Sequence, residues 1–168
     1  MSGTDNSNFE KKVALRLEAI NEIPKDEIRV LDCFAGYGLL WKEVQKRTSK
    51  KIRLLQIEKE KGKNSHALCG DNLKFLPTLD LDNFDLIDLD AYGVPSRQIR
   101  IIKNKGWHGI LVVTAIESMM GKIPKDLTDA VGISDLYKKN KALFCNFFVA
   151  FLDNFLYLCG VTEKKAIF

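Results

Sequence analysis

The sequence predicts an α/β fold of the doubly wound, Rossmann-like kind: a mostly parallel sheet with helices on both faces. Three observations predict it. Short apolar runs recur along the chain, IRVLDCF at 28–34, IRLLQI at 52–57, FDLIDL at 84–89 and GILVVTA at 109–115. The intervals between them have the length and spacing of helices, the signature of βαβ units. And 168 residues fit one domain built around one sheet.

The elements follow in order. Residues 1–8 are small and polar and are expected to be flexible, leaving 9–168 as a single domain. Val13, Leu17 and Ile20 fall at i, i+4 and i+7 and draw one stripe of an amphipathic helix over 9–23, stopped by Pro24. A strand at 28–34 leads through a glycine turn into a helix at 39–47. A second strand covers 52–57, a short third 65–69, and a helical turn 72–76 ends at Pro77. The fourth strand is 84–89, a helix follows at 95–104, and the fifth strand is 109–115. Beyond a polar stretch with Pro124, one long helix is expected at 137–158 and the start of a sixth strand at 165–168.

Composition narrows the class. Hydrophobic residues at 46% and charged residues at 29% are those of a globular domain with a core. Lys and Arg number 26 against 22 Asp and Glu, an excess that permits a polyanionic partner without requiring one. Cys33, Cys69, Cys145 and Cys159 form no CxxC pair, and His66 and His108 lack ligand-like spacing, so no metal site is expected. The N-terminus shows no basic-then-apolar leader, which points to the cytoplasm. The one membrane-like stretch, 142–161, is interrupted by Asn146, Asp153 and Asn154 and reads as a buried helix, so no membrane partner is expected.

Ligands of such sheets sit beyond the carboxyl ends of the strands, and here those ends are acidic: Asp32, Glu58, Asp71, Asp88 and Asp90. Asp32 precedes Gly36 and Gly38 at the first turn, where glycine lets a ligand approach the backbone. Glu58 closes the second strand, where a carboxylate can accept from ribose hydroxyls. A dinucleotide would set its pyrophosphate beside Asp32, and Trp41 replaces the third glycine of that motif, so NAD fits poorly. S-adenosylmethionine carries a sulfonium and an amino group instead, which acidic strand ends attract. The same residues also fit plainer roles: Asp32 as a helix cap, Glu58 as a solvated charge, Asp71 and Asn72 as a cap ahead of Leu73.

In the fourth strand, period-2 alternation puts Leu86, Asp88 and Asp90 on one face and Ile87 and Leu89 on the other. Two close carboxylates repel unless each has a donor or cation. A transferase acting on an exocyclic amine uses such acceptors: Asp90 and the Ala91 carbonyl would bond the amine hydrogens and aim its lone pair. Tyr92 would stack on the base. A strand end followed by a turn at Gly93 and a helix from Pro95 is the alternative, though it leaves the acidic pair unexplained.

From Ile28 to about Ala115 the motif order resembles the class I S-adenosylmethionine-dependent methyltransferases. The run from Val30 to Gly38 (VLDCFAGYG) is similar to their glycine-rich first motif, Glu58 to their ribose-binding acid, and Asp71-Asn72 to their adenine-side motif. Within that superfamily, DLIDLDAYGVP at 85–95 and GILVVTAIESMMG at 109–121 resemble the tRNA N2,N2-dimethylguanosine methyltransferases, whose fourth motif reads D-x-D-P-[FY]-G-x-P. The resemblance implies cofactor contacts from Asp32, Phe34, Gly36, Gly38, Glu58, Asp71 and Asn72, and a catalytic role for Asp90 supported by Asp88 and Tyr92. Ala91 stands where that family has proline, and Ile116-Glu117 where it has threonine and aspartate. The family's additional tRNA-binding domain has no room in 168 residues.

Arg97 and Arg100 follow the proposed catalytic turn, where an RNA or, less readily, a DNA backbone would pass; a solvated helix face explains them equally. Phe144, Phe147, Phe148, Phe151 and Phe155 draw one helical stripe, read as a face packed on the sheet, with a homodimer or partner subunit as the other occupant. The sequence therefore predicts an S-adenosylmethionine-dependent RNA N-methyltransferase. The rival is a non-catalytic module of the same fold that binds RNA or a protein.

Overall fold

The computed structural model describes residues 8–115, 123 and 125–161. The expected strand at 165–168, the pair Ile116-Glu117 and all but the last residue of the expected flexible terminus lie outside them. The chain clusters into two compact units, one reaching to Asp90 and including His108–Val112, the other made of Ala91–Trp107 and the described residues from Val113 on.

The first unit opens with helix α1, Phe9–Glu22, which ends where Ile23 turns extended ahead of Pro24. Strand β1 is Glu27–Asp32, helix α2 Leu39–Arg47 and strand β2 Lys51–Glu58. Strand β3 is reduced to Leu68–Cys69, helix α3 spans Asn72–Phe75, and a 3-10 turn at Leu81–Asn83 leads into strand β4, Leu86–Asp90. Strand β5, Ile110–Thr114, completes a five-stranded sheet of order β3-β2-β1-β4-β5. β1 runs parallel to both β2 and β4, and β2 parallel to β3. The order reverses direction between β1 and β4, which makes the fold doubly wound and Rossmann-like and puts its switch point at the end of β1.

Packing explains the register. Val13 and Ile20 of α1, Trp41 and Val44 of α2, Ile28 and Val30 of β1, Leu86 of β4 and Val112 of β5 form one buried cluster. Since Ile28 and Val30 face it, alternation carries Asp32 to the same face, and Leu86 carries Asp88 and Asp90 there too. Ile87 and Leu89, on the opposite face of β4, are fully buried. The pairing then puts Asp32 opposite both Gln56 and Asp88, a polar row across three strands at their carboxyl end.

The second unit is helical: α4 at Ser96–Asn104, α5 at Lys125–Ala130, α6 at Ser134–Lys139, a 3-10 segment at Lys141–Phe147 and α7 at Phe148–Leu158. The expected continuous helix over 137–158 is thus broken. Asn140 leaves the helical region (φ −147°, ψ 81°) amid Lys138, Lys139 and Lys141, and asparagine's side chain competes for backbone bonds in such positions. Tertiary contacts hold the break. The Tyr137 hydroxyl accepts from the Ile123 N–H at 2.8 Å, and Phe144 meets Tyr137 edge-on at 6.0 Å and Phe151 at 5.6 Å. Phe148 and Phe155 are buried while Phe147 is half-exposed. Helix α5 falls in the stretch read as polar; Lys125 bridges Asp129 one turn on, and the Thr128 hydroxyl donates to the Lys125 carbonyl. Among the described residues no helix is long and apolar enough to cross a membrane.

Candidate functional site

The polar row at the switch point is the best-built cluster of the first unit. Asp88 is completely buried. Arg16 of α1, equally buried, clamps it in a fork: Nη2 donates to Oδ1 at 2.7 Å and Nε to Oδ2 at 3.0 Å. The Trp41 indole adds a third bond to Oδ2 at 2.8 Å. Burial opposes the Arg16 charge, yet the Asp88, Asp90 and Asp32 carboxylates outweigh it and hold the guanidinium above its usual range. Burial pushes the Asp88 carboxyl up against the pull of Arg16 and Trp41. With no exposed surface, Asp88 cannot touch a substrate; it acts from behind, anchoring α1 and α2 to β4. Trp41, which argues against a dinucleotide in the sequence, is that anchor for α2.

Asp32 lies beside this clamp and, among the described residues, has no cation at hydrogen-bonding distance. Gln56 donates to its Oδ2 at 3.0 Å and the Phe34 N–H to its Oδ1 at 3.1 Å. Asn64 in turn donates to Gln56 Oε1 at 3.2 Å, so a relay of amides runs to Asp32 from the loop after β2. Burial, reinforced by the neighbouring Asp88 charge, pushes the Asp32 carboxyl up to about 7. The adjacent Cys33 thiol is raised well beyond its ordinary value, chiefly by burial, which leaves it inert as a nucleophile.

Asp90 closes the row. Its side chain is 17% exposed and pairs with Lys12 of α1, 23% exposed, with Nζ 2.9 Å from Oδ1 and 3.1 Å from Oδ2. Only the Oδ2 contact is aligned as a hydrogen bond; Oδ1 is buried and receives none, with Arg16 Nη2 3.9 Å away. Among the described residues three carboxyl groups, Asp32, Asp88 and Asp90, therefore lie beside two cations, Lys12 and Arg16.

The glycine turn borders this cluster. Gly36 and Gly38 both hold left-handed backbone, φ 55° and 73°, which β-carbons disfavour. Gly38 starts α2, and a β-carbon there would meet Asn64 Nδ2 at 3.0 Å; at Gly36 nothing lies within 4 Å. Glu58 reaches across to the turn: its Oε2 accepts from the Gly36 N–H at 2.7 Å and its Oε1 from the Glu60 N–H at 2.9 Å. Tyr37, at the tip, is 59% exposed, with Lys63 Nζ 5.4 Å from the ring centre.

The structure thus brings Asp32, Phe34, Gly36, Gly38 and Glu58 together. Asp71 takes the capping role, accepting from the Leu73 N–H at 3.0 Å, whereas buried Asn72, the first residue of α3, donates to the Cys33 carbonyl at 2.7 Å and ties α3 to the end of β1. Asn72 has structural work to do, whereas Asp71 keeps partial exposure. Tyr92, 94% exposed, and Arg97 and Arg100, on the exposed face of α4, belong to the second unit. Sequence reasoning missed Arg16, Lys12, Gln56 and Asn64. The signal for Arg16 was present: a cation three residues after Val13 and four before Ile20 sits inside the apolar stripe, in a chain whose fourth strand demands one.

Among the described residues no group of three or more His, Cys, Asp or Glu side chains is arranged to hold a metal ion. No protein-family model matches the chain, and none of the curated proteins matches it in sequence.

Proposed function

We propose that the first unit binds S-adenosylmethionine at the end of β1 and that the chain methylates an exocyclic amine of a nucleobase in RNA. The observation that carries this reading is the make-up of the switch point among the described residues: three carboxyl groups beside two cations, with Asp32 held by the neutral donors of Gln56 and Phe34 and its charge opposed by burial. A cationic ligand supplies the missing charge; a pyrophosphate would worsen the deficit. Asp32 would hold the ligand's positive end, Glu58 its ribose hydroxyls and Asp71 its adenine amine, with room over Gly36, where a β-carbon would meet nothing.

The chemistry supplied on binding is an electrophilic methyl group on a sulfonium. Asp90 accepts a hydrogen bond from the target amine and turns its lone pair toward that carbon. In such a transfer the S–C bond pair would stay on sulfur as the amine's nitrogen took the methyl group, and Asp90 would accept the surplus amine proton and pass it to water. Within the second unit taken by itself, Tyr92 has an exposed ring of the kind that stacks on a base and Arg97 an exposed cation of the kind that meets a phosphate.

Titration calorimetry with S-adenosylmethionine and S-adenosylhomocysteine tests the cofactor claim, and binding by neither refutes it. Transfer of a tritiated methyl group to total tRNA, rRNA or DNA tests the activity; Asp90→Ala is expected to abolish it while sparing cofactor binding. The second reading, a non-catalytic module binding RNA or a protein, is favoured by the Lys12 pair that already engages Asp90. Cofactor binding without methylation of any nucleic acid would decide for it.

A further inference from the structure

Asp90 and Lys12 stand apart from the sealed pair behind them. Arg16 and Asp88 have no exposed side-chain surface, whereas Lys12 and Asp90 are 23% and 17% exposed. Their bonding capacity is also unspent. A carboxylate offers about four lone-pair sites and an ammonium three N–H donors, yet among the described residues the Asp90 side chain receives one aligned bond and the Lys12 ammonium gives that same one. A mostly buried acceptor so poorly supplied is costly unless a ligand completes it.

Resting on the methyl-transfer reading, we infer that Lys12 is a specificity-determining residue: the Asp90–Lys12 pair, an acceptor beside a donor, reads an amine flanked by an unprotonated ring nitrogen. Adenine presents that edge on both sides of its amine and cytosine on one. The amine hydrogen goes to Asp90 and the ring nitrogen accepts from Lys12. Guanine does not match, because its amine is flanked on the pairing edge by a ring N–H, a donor that would point at the Lys12 ammonium. On the other side its ring nitrogen is crowded by the ribose. Lys12 also holds Asp90 in place, since breaking the pair leaves a largely buried carboxylate with Arg16 only at 3.9 Å.

The test labels total RNA with tritiated S-adenosylmethionine and the full chain, then digests it and identifies the labelled nucleoside. An amine-methylated adenosine or cytidine is the expected product; N2-methylguanosine overturns the inference and leaves methyl transfer standing, and no label overturns both. An oligonucleotide carrying the labelled site then separates recognition from folding. Replacing the flanking ring nitrogen by carbon (1-deaza- or 7-deazaadenine, or 3-deazacytosine) is expected to lower kcat/KM roughly 10- to 100-fold, the loss of one bond from a charged donor. Lys12→Met is expected to cause a similar loss on the natural base, almost no further loss on the deaza base, and unchanged cofactor affinity by calorimetry, with Lys12→Arg restoring part of the activity. Additive losses from the two changes, or a wild-type enzyme indifferent to every deaza base, would overturn it.

Discussion

Replacing Arg16 by methionine isolates the interaction on which the switch point depends. Methionine keeps much of the apolar stem but removes the two donors that hold Asp88 at 2.7 and 3.0 Å, together with the Nη1 bond to the Lys12 carbonyl at 3.2 Å. Asp88 is left completely buried with the Trp41 indole as its remaining donor and with Asp32 and Asp90 beside it. Stranding one partner of a buried pair costs about 3–5 kcal/mol, about a fifth or more of the roughly 5–15 kcal/mol that stabilises an ordinary domain. The assay is urea unfolding followed by tryptophan fluorescence, with Trp41 reporting from the site itself. The loss should shrink in acid, because protonating Asp88 removes the stranded charge: burial already raises its folded pKa, so this penalty is absent at low pH and grows as pH rises. The double variant Arg16→Met, Asp88→Leu, with no charge left to strand, should recover most of the stability. A single-variant loss below about 1 kcal/mol, or a double variant as unstable as the sum of the singles, would refute the view that this pair is a coupled, mutually neutralising unit.

The raised Asp32 carboxyl gives a second handle. Its folded pKa near 7, against an ordinary 3.8, means that its contribution is fully present below about pH 4 and is lost as pH rises through 7, a change of up to about 4 kcal/mol; Asp32→Asn should flatten that slope in pH-dependent melts, and an unchanged slope would reassign the proton. A cation bound there should draw that proton off, so S-adenosylmethionine affinity should rise between about pH 6 and 8 with proton release measurable in buffers of different ionisation enthalpy. Trp41→Phe removes a buried bond to a charged group and should cost about 1.5–3 kcal/mol in urea titrations; a neutral result would show that Arg16 alone suffices. Gly36→Ala and Gly38→Ala should each lose about 1–2 kcal/mol to left-handed strain, Gly38→Ala more because of Asn64, but only Gly36→Ala should weaken the cofactor beyond what stability explains, since its methyl group enters the space assigned to the ligand.

Local pattern carried much of this protein. Helix α2 occupies the span its sequence predicts, 39–47, because its glycine start and apolar spacing are both local signals, and the four longer strands lie within two or three residues of their apolar runs. Alternation in β4 placed Asp88 and Asp90 on one face, and the need for a donor or a cation beside each followed from electrostatics alone. Which cation could not follow, since Arg16 is 72 residues away in sequence and only the packing of α1 on the sheet brings it there. The break at Asn140 was hidden for a similar reason: the phenylalanine spacing is helical throughout, and it is the contacts of Tyr137 with Ile123 and Phe144 that decide against continuity.

Residue type and spacing by themselves determined an α/β sheet with acidic strand ends and a glycine turn, because period and propensity act over a few residues. Tertiary structure alone decided what those acids do. Strand register set Gln56, Asp32 and Asp88 in one row, and α1 docking sealed Asp88 with Arg16 while leaving Asp90 and Lys12 partly exposed. A carboxylate's charge and reach depend on what is packed around it, and that environment is assembled from parts of the chain that no local pattern connects.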